Sequence, residues 1–533
     1  MHRHFTFSFH LLVCGTLVAL PSGGPLRLMS SCWRHSLGLQ SFFFLTRHCH
    51  HWTSTSIVNT PQLSPSKQGA PPPQRVAVIG GGITGLAAAH RLIELDSNLR
   101  VTLFEASDHL GGVLRTTSRD GFLLEAGADN FITTVPWALD LCRRIGFEDQ
   151  LIPTNSGFRQ VFVVCRGKPH HLPDGFVVMA PGKLWPILTT PILSPLGKLR
   201  LACERFVPSR RGTDDESLAS FCKRRLGRET YERLVQPLVG GIYTGDPEKL
   251  SLRSTLPRFA EMEEQHGSLT RALGRQPKTR GQTSGARYSM FVAPRDGMSS
   301  LIDAIAIRLP PDSVCRGARV QRIERTVNGW KISVEETSRV PIEFDAVILA
   351  TPAKTSANLM QALDKQIAAE LSEIHHARCS IVSLGYSREQ ITHPLDGFGV
   401  VVPHIERRKI LSASFSSIKY PGRAPDGHVL IRTFIGGDCQ PELANLSDDD
   451  LLRTATDELR TLLNISGDPV MSHISCRRAA MPQYFVGHAD RIASLRRNLV
   501  QHPGLLLAGN AYDGVGVPTC IRSGELAAEC LVG

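Results

Sequence analysis

The sequence predicts an α/β protein built on a discontinuous Rossmann-like dinucleotide-binding domain, with a mixed-sheet second domain and an inserted α-helical domain. Three observations predict it. An apolar run, crowded glycines and an alanine-rich segment follow one another in RVAVIGGGITGLAAAHRL, Arg75 to Leu92. Fully apolar strands recur in FDAVILATP, Phe344 to Pro352, and at the start of GLLLAGNAYDGVGVPTCIRSGELAAECL, Gly504 to Leu531. Between these returns lie a block of proline-broken helices and a stretch of period-two alternation, so the chain leaves its nucleotide domain twice and comes back.

Taken in order, Arg75–Ile79 reads as a buried parallel strand, Gly85–Leu95 as a helix and Val101–Glu105 as a second strand, a β-α-β unit. Residues 74–150 form the first part of the nucleotide domain. Residues 151–264 read as the helical insertion, with helices at Leu196–Phe206, Ser217–Leu226 and Glu229–Val235. The Gly/Arg/Gln/Thr-rich residues 265–287 read as a flexible surface connection. Residues 288–352 return to the nucleotide domain through a helix at Met298–Leu309, a hairpin of Arg319–Glu324 and Trp330–Glu335, and the buried Phe344–Pro352 strand. Alternation in Ile381–Tyr386, Phe398–Pro403, Lys409–Ser414 and Val429–Ile435 makes residues 353–480 a substrate-binding sheet domain, and 481–533 closes the nucleotide domain.

A chain of 533 residues, 42% hydrophobic and 20% charged, has the composition of a multi-domain globular protein. The net charge of +11 would suit any polyanion. No basic block interleaved with aromatics, zinc-finger spacing or RNA-binding signature accompanies it, so nucleic acid is not expected as a partner. The 13 cysteines are scattered without a CxxC pair, which suits reduced, buried thiols. No apolar run reaches the length of a membrane span.

Residues 1–73 stand apart. No Asp or Glu precedes Glu94, and an apolar run from Phe5 to Leu20 follows Arg3 and His4. The stretch admits three readings: a signal peptide, an organelle transit peptide, or upstream sequence from an over-early start. The last would leave a cytoplasmic protein, and the second an organellar one. His48, His50 and His51 beside Cys49 are expected to be tail residues rather than a metal site, and no metal is assigned.

Gly80, Gly82 and Gly85 match G-x-G-x-x-G between a strand and a helix. The first permits the tight turn, the second lets backbone approach a pyrophosphate, and the third lets helix and strand pack closely, with phosphate at the helix's positive end. Glu105 ends the second strand, where a carboxylate accepts hydrogen bonds from ribose hydroxyls. Alone, this pattern suits NAD, FAD or a structural turn.

Gly111 and Gly112, in EASDHLGGVLRT, favour FAD over NAD by adding a second close approach after the ribose-binding acid. With LLEAGADNF and the terminal AGNAYDGVGV, the unit resembles the flavin amine oxidase superfamily. Within it, FCKRRLGRETYERLVQPLVGGIYTGDPEKLSLRSTLPRF, DGFGVVVP, IGG and MPQYFVGH are similar in order and spacing to the protoporphyrinogen and coproporphyrinogen III oxidases. The resemblance implies non-covalent FAD and oxidation of a porphyrinogen to its porphyrin in haem biosynthesis. Six electrons would leave in three flavin turnovers, with O2 reduced to hydrogen peroxide.

The resemblance also implies roles. Gly80, Gly81, Gly82, Ile83, Thr84 and Gly85 would bind pyrophosphate, Glu105 the ribose, Gly112 and Val113 the adenosine side, and Val320 the adenine end. Gly127, Ala128, Asp129 and Asn130 would lie beside the isoalloxazine, and Asn510, Val515, Gly516 and Val517 at its far end, where a helix N-terminus stabilises negative charge. On the substrate side, Arg159 would hold a propionate, Phe398 would stack on the macrocycle and Gly240, with Gly241, would shape the pocket floor. Core packing of Val515, Val517 and Phe398, structural pairing of Arg159 and a helix-end role for one of the two glycines are the plain alternatives. Asp129 reads equally as a proton acceptor and as a turn former. The family commonly has Arg at the place of His109 and often Pro at that of Ala128. Cys520 lacks the motif of covalent flavin attachment.

Asp174 to Leu201 mixes apolar residues, Trp185 and cations, which suits either a membrane-facing surface or ordinary packing of the helical domain. Peripheral membrane association and a homodimer are both compatible with this reading. Other functions open to the fold are an amine oxidase, a carotenoid desaturase, which would leave Arg228–Pro257 unexplained, and a non-catalytic flavin-fold binding protein.

Overall fold

A computed structural model describes residues 74–158, 160–181, 185–212, 214–275, 291–335 and 342–533. Arg159, residues 1–73 and most of the expected connection at 265–287 lie outside the described residues.

Five strands form a parallel sheet: β1 (Arg75–Ile79), β2 (Arg100–Phe104), β3 (Val314–Cys315), β4 (Ala346–Leu349) and β5 (Leu505–Leu507). Their order is β3-β2-β1-β4-β5, so the chain turns back at the β1/β4 boundary. In open α/β sheets ligands enter at such a switch point, outside the carboxyl ends of the strands. β1 and β4 lack polar alternation because both faces are covered. Val76 and Val78 pack with α1 (Ile83–Leu95) and α2 (Val517–Val532), whereas Ala77 and Ile79 pack against Trp330, Ile332 and the helices Ala353–Met360 and Lys365–Ser372.

The third glycine of the motif sets how tightly α1 lies on β1. A Cβ on Gly85 would stand 1.9 Å from the carbonyl oxygen of Gly80. On the other side of α1, a Cβ on Gly524 of α2 would stand 2.2 Å from the Thr84 carbonyl oxygen. Both contacts need a residue without a side chain.

The second sheet has seven strands, in the order Met471–Pro482, His376–Ser387, His428–Gly436, Ser412–Phe415, Gly399–Val401, Phe162–Cys165 and Lys168–His171. It is mixed, because Val400 and Val401 pair in parallel with Phe162 and Val163 while the other pairings are antiparallel. The amphipathic helix Asp448–Leu463 covers one face with Leu451, Ala455, Leu459 and Leu462.

The segment read as the helical insertion, residues 151–264, also contributes strands. The segment opens with strands at Leu151–Pro153, Phe162–Cys165 and Lys168–His171 and becomes mainly helical only from Trp185. The helix expected at Glu229–Val235 runs on to Tyr243 through a π-turn at Tyr231–Val235. Pro237, which lacks an N–H to close the ordinary ladder, sits just beyond that turn. The insertion has its own core, from Val163 to Ala272. A ring of polar bonds supports it: Arg225 and Glu204, both 0% exposed, form an ion pair, and Ser268 and the Leu269 N–H donate to Glu204.

Gly85→Ala is expected to cost at least about 3 kcal/mol, since a methyl group against a fixed carbonyl cannot be relieved by a rotamer change. A fall in the urea midpoint at unchanged slope would show it, and an unshifted midpoint would refute the close contact.

Candidate functional site

The site has a crevice and a cavity, joined by one turn. At the crevice, α1 begins with Gly82 as N-cap and no side-chain cap, and a Cβ on Gly82 would meet nothing within 4 Å. The helix's positive end therefore faces open space. Glu105 stands at the carboxyl end of β2, its Oε2 accepting the Gly81 N–H at 2.7 Å and its Oε1 the Ser107 N–H at 2.9 Å. Its carboxylate is thus oriented beside the phosphate turn. Gly112 closes the crevice from the other side, a Cβ there lying 3.5 Å from Gly82 Cα. Val320 is buried just after Ala318, whose N–H donates to the Glu105 carbonyl. His109 is turned to Asp108, with Nδ1 and Oδ1 2.8 Å apart.

α2 likewise starts from a glycine N-cap, Gly516, without a side-chain cap. Val517 and Cys520 share a core with Ile83 and Phe131, which brings this second N-terminus towards the Gly127–Asn130 turn. Val515 is half-buried, and Asn510 offers its carbonyl to the Tyr484 hydroxyl at 2.5 Å. His488, stacked on Tyr484 with ring centres 4.1 Å apart, reaches the Tyr512 carbonyl through Nε2 at 3.3 Å. That contact requires the proton on Nε2, and burial keeps the ring neutral by lowering its pKa to about 4. Burial pushes the Cys520 thiol up to about 12, leaving it a protonated packing residue. A dinucleotide fits this crevice: two uncapped helix ends, an open phosphate turn and an oriented carboxylate are its complement.

The Gly127–Asn130 turn leads from crevice to cavity. A Cβ on Gly127 would stand 2.3 Å from the Val113 carbonyl, so the turn is pressed against the chain that follows Gly112. Ala128 is exposed, while Asp129 and Asn130 line a cavity of about 290 Å³. Its walls come from the helix Gln236–Tyr243, the middle of the seven-stranded sheet, Phe291 and the buried Phe398. Of the two glycines expected at the pocket floor, Gly241 is among the residues that line the cavity. Neither glycine ends the helix, since Thr244 with φ of 50° takes the C-cap position.

Two cations in this cavity were missed by sequence reasoning. Lys419 Nζ lies 3.0 Å from Asp129 Oδ2, and an Arg432 guanidinium nitrogen lies 3.2 Å from the same oxygen. Arg432 also donates to the Gly127 carbonyl at 2.5 Å, and Asn130 donates to Asp129 Oδ1 at 2.6 Å. Burial alone would raise the Asp129 pKa, but Lys419 and Arg432 outweigh it and hold the carboxyl at about 2. A carboxylate held so firmly ionised is a weak proton acceptor, so the geometry argues for a charge-positioning role instead. Arg432 did leave a signal, being a cation in the middle of the mainly apolar strand HVLIRTFIG. A buried arginine needs acceptors for its N–H groups, and here Asp129 and the Gly127 carbonyl supply them.

Over residues 83–532 the sequence matches the family described as flavin containing amine oxidoreductase. The chain belongs to this family. A flavin is thus the cofactor that the family supports for this chain. Among curated members, the chain is 34% identical to coproporphyrinogen III oxidase of Bacillus subtilis (strain 168), over 85% of this chain and 97% of the relative. It is 29% identical to protoporphyrinogen oxidase 2, chloroplastic/mitochondrial, of Arabidopsis thaliana, over 86% and 94%. A crystal structure from Exiguobacterium sp. 255-15, provisionally described as a protoporphyrinogen oxidase, superposes with a TM-score of 0.77 at 30% identity, covering 86% of this chain and 98% of that one. This member of the flavin containing amine oxidoreductases therefore matches those relatives over nearly their whole lengths.

Gly82→Asp should fold, because the side chain enters open space, and lose its flavin, because a carboxylate would occupy the phosphate position. A purified variant with the wild-type flavin absorbance would refute the assignment.

Asp129 also makes a pH prediction. Its folded pKa lies below the ordinary 3.8, so its stabilisation is present above about pH 4 and is lost as pH falls towards 2, to the extent of about 2 kcal/mol. Urea unfolding of wild type and Asp129→Asn should differ most above pH 4 and converge below it. A gap independent of pH would contradict the ion pairs.

Proposed function

We propose that the chain is an FAD-dependent porphyrinogen oxidase of haem biosynthesis, with FAD held non-covalently and O2 as acceptor. The observation that carries this reading is a cavity that begins at the Gly127–Asn130 turn, with largely aromatic and aliphatic walls and with the cations Lys419 and Arg432 paired to Asp129. A porphyrinogen presents the same division, an apolar macrocycle bearing carboxylates.

Bound FAD would supply the two-electron acceptor for each of three oxidations, with O2 regenerating it and forming hydrogen peroxide. The chain's own residues bind and orient. Gly80–Gly85 and the N-terminus of α1 hold pyrophosphate, Glu105 and Val320 meet the adenosine end, and the α2 N-terminus favours negative charge at the far end of the ring. Phe398 and Val400 exclude water and pack against the macrocycle, and Lys419 and Arg432 meet carboxylate. Arg159 remains a proposed propionate contact.

Peripheral membrane association is part of the proposal. Trp185, Leu196 and Phe206 are 75%, 78% and 73% exposed, Leu188 and Leu199 are also exposed, and Lys198, Arg200 and Arg205 stand among them. Apolar and cationic side chains so arranged suit an anionic lipid interface, where an apolar product would be released. No helix among the described residues is long and apolar enough to cross a membrane.

Anaerobic mixing of the flavin-loaded protein with protoporphyrinogen IX and with coproporphyrinogen III tests the function. Bleaching of the flavin absorbance by at least one of them is expected, with peroxide formed when O2 is admitted. An unbleached flavin with both would overturn the proposal.

A further inference from the structure

The cavity carries more charge than its own residues neutralise. Among the described lining residues, Lys419 and Arg432 are cations and Asp129 alone is an anion, so one positive charge is in excess. Lys419 is nearly buried, with 14% of its side chain exposed, and Arg432 is 2% exposed. Of the three Lys419 donors, one goes to Asp129 and one to Ser414 Oγ at 3.3 Å. The third has no partner among the described residues, and Arg432 Nε is likewise buried without one. The rest of the lining is largely apolar, with Val400, Ala413, Phe398 and Phe434, and its polar groups on Asn130, Thr154, Ser412 and Tyr420 are neutral and do not offset that excess.

We propose that Lys419, held beside Arg432 by Asp129, makes the cavity selective for a porphyrinogen with carboxylates on all four rings over one with carboxylates on only two. The inference rests on the functional reading above. The two substrates differ in whether a pair of rings bears propionate or vinyl. A two-carboxylate porphyrinogen has both propionates on one side, so its other side is apolar. Vinyl groups against Lys419 would strip water from an ammonium and return no hydrogen bond. A propionate there would accept the free Lys419 donor and neutralise the excess charge, while the propionates on the opposite rings remain available to the other end of the cavity. Asp129 is a positioning residue in this arrangement, fixing where the cationic end lies without touching the reacting carbons.

The test is the ratio of kcat/KM for coproporphyrinogen III over protoporphyrinogen IX, measured on the full-length flavin-loaded protein. Wild type should favour coproporphyrinogen III. Lys419→Met, which leaves the Arg432–Asp129 pair in place, should reduce the ratio by about tenfold or more, the worth of a charge-assisted hydrogen bond. Lys419→Arg should restore most of it. Binding of coproporphyrin III, the oxidised form, gives a second readout: its affinity should fall with added salt more steeply in wild type than in Lys419→Met. Oxidation of both porphyrinogens at a ratio that Lys419→Met leaves unchanged would overturn this inference alone. Oxidation of neither would overturn the functional reading and this inference with it.

Discussion

Everything near the crevice depends on one steric constraint, the backbone contact between α1 and β1 at Gly85 and Gly80. Because the helix rests on the strand without an intervening side chain, its N-terminus is brought against the carboxyl edge of the sheet. The second contact, Gly524 against Thr84, seats α2 on the same helix. Two helix ends therefore open onto one crevice, and their unsatisfied N–H groups give it a positive potential before any charged side chain is counted.

The second organising interaction is the Asp129 ion cluster, which sits where the nucleotide domain meets the seven-stranded sheet. Gly127 is trapped against Val113, so the carboxylate of Asp129 has little freedom and collects Lys419 from the short helix after one strand and Arg432 from the middle of the next. Buried charges of this kind add little net stability compared with an apolar core, but breaking them is costly. Behind the cluster, buried Arg423 donates to the carbonyls of Pro294 and Arg295, and Glu125 accepts the Met298 N–H at 2.8 Å. Burial raises the Glu125 pKa in spite of that bond. The cavity's cationic end is thus held from both domains.

The first β-α-β unit, the later buried strands and the glycine turn were legible because hydrophobic period and backbone requirements are local signals. The hairpin at Val320–Val334 was legible for the same reason. Strand Phe162–Cys165 was not, since what makes it part of the seven-stranded sheet is parallel pairing with Val400 and Val401, far downstream. The helix Asp448–Leu463 did carry its signals, with Ser447 capping it and three aspartates in its first turn, but they lay inside a segment read as strands. At the site, Gly82 is legible from the glycine motif and Gly127 from the family resemblance, because both positions are defined by backbone. Lys419 is not, because a lysine that ends the short helix Ser416–Lys419 reads as solvated until folding places a buried carboxylate beside it. For Asp129 the sequence leaves proton acceptor and turn former equally open, and its neighbours Lys419 and Arg432, which hold it ionised, are invisible there.

Crevice and cavity are two ends of one site only if a flavin and a porphyrin meet at Gly127–Asn130. A crystal structure of the flavin-loaded protein with coproporphyrin III tests this most directly. The isoalloxazine ring should lie on the Gly127–Asn130 turn, with the porphyrin against Phe398 and a propionate on Lys419. A porphyrin bound elsewhere, or a flavin ring directed away from that turn, would contradict it.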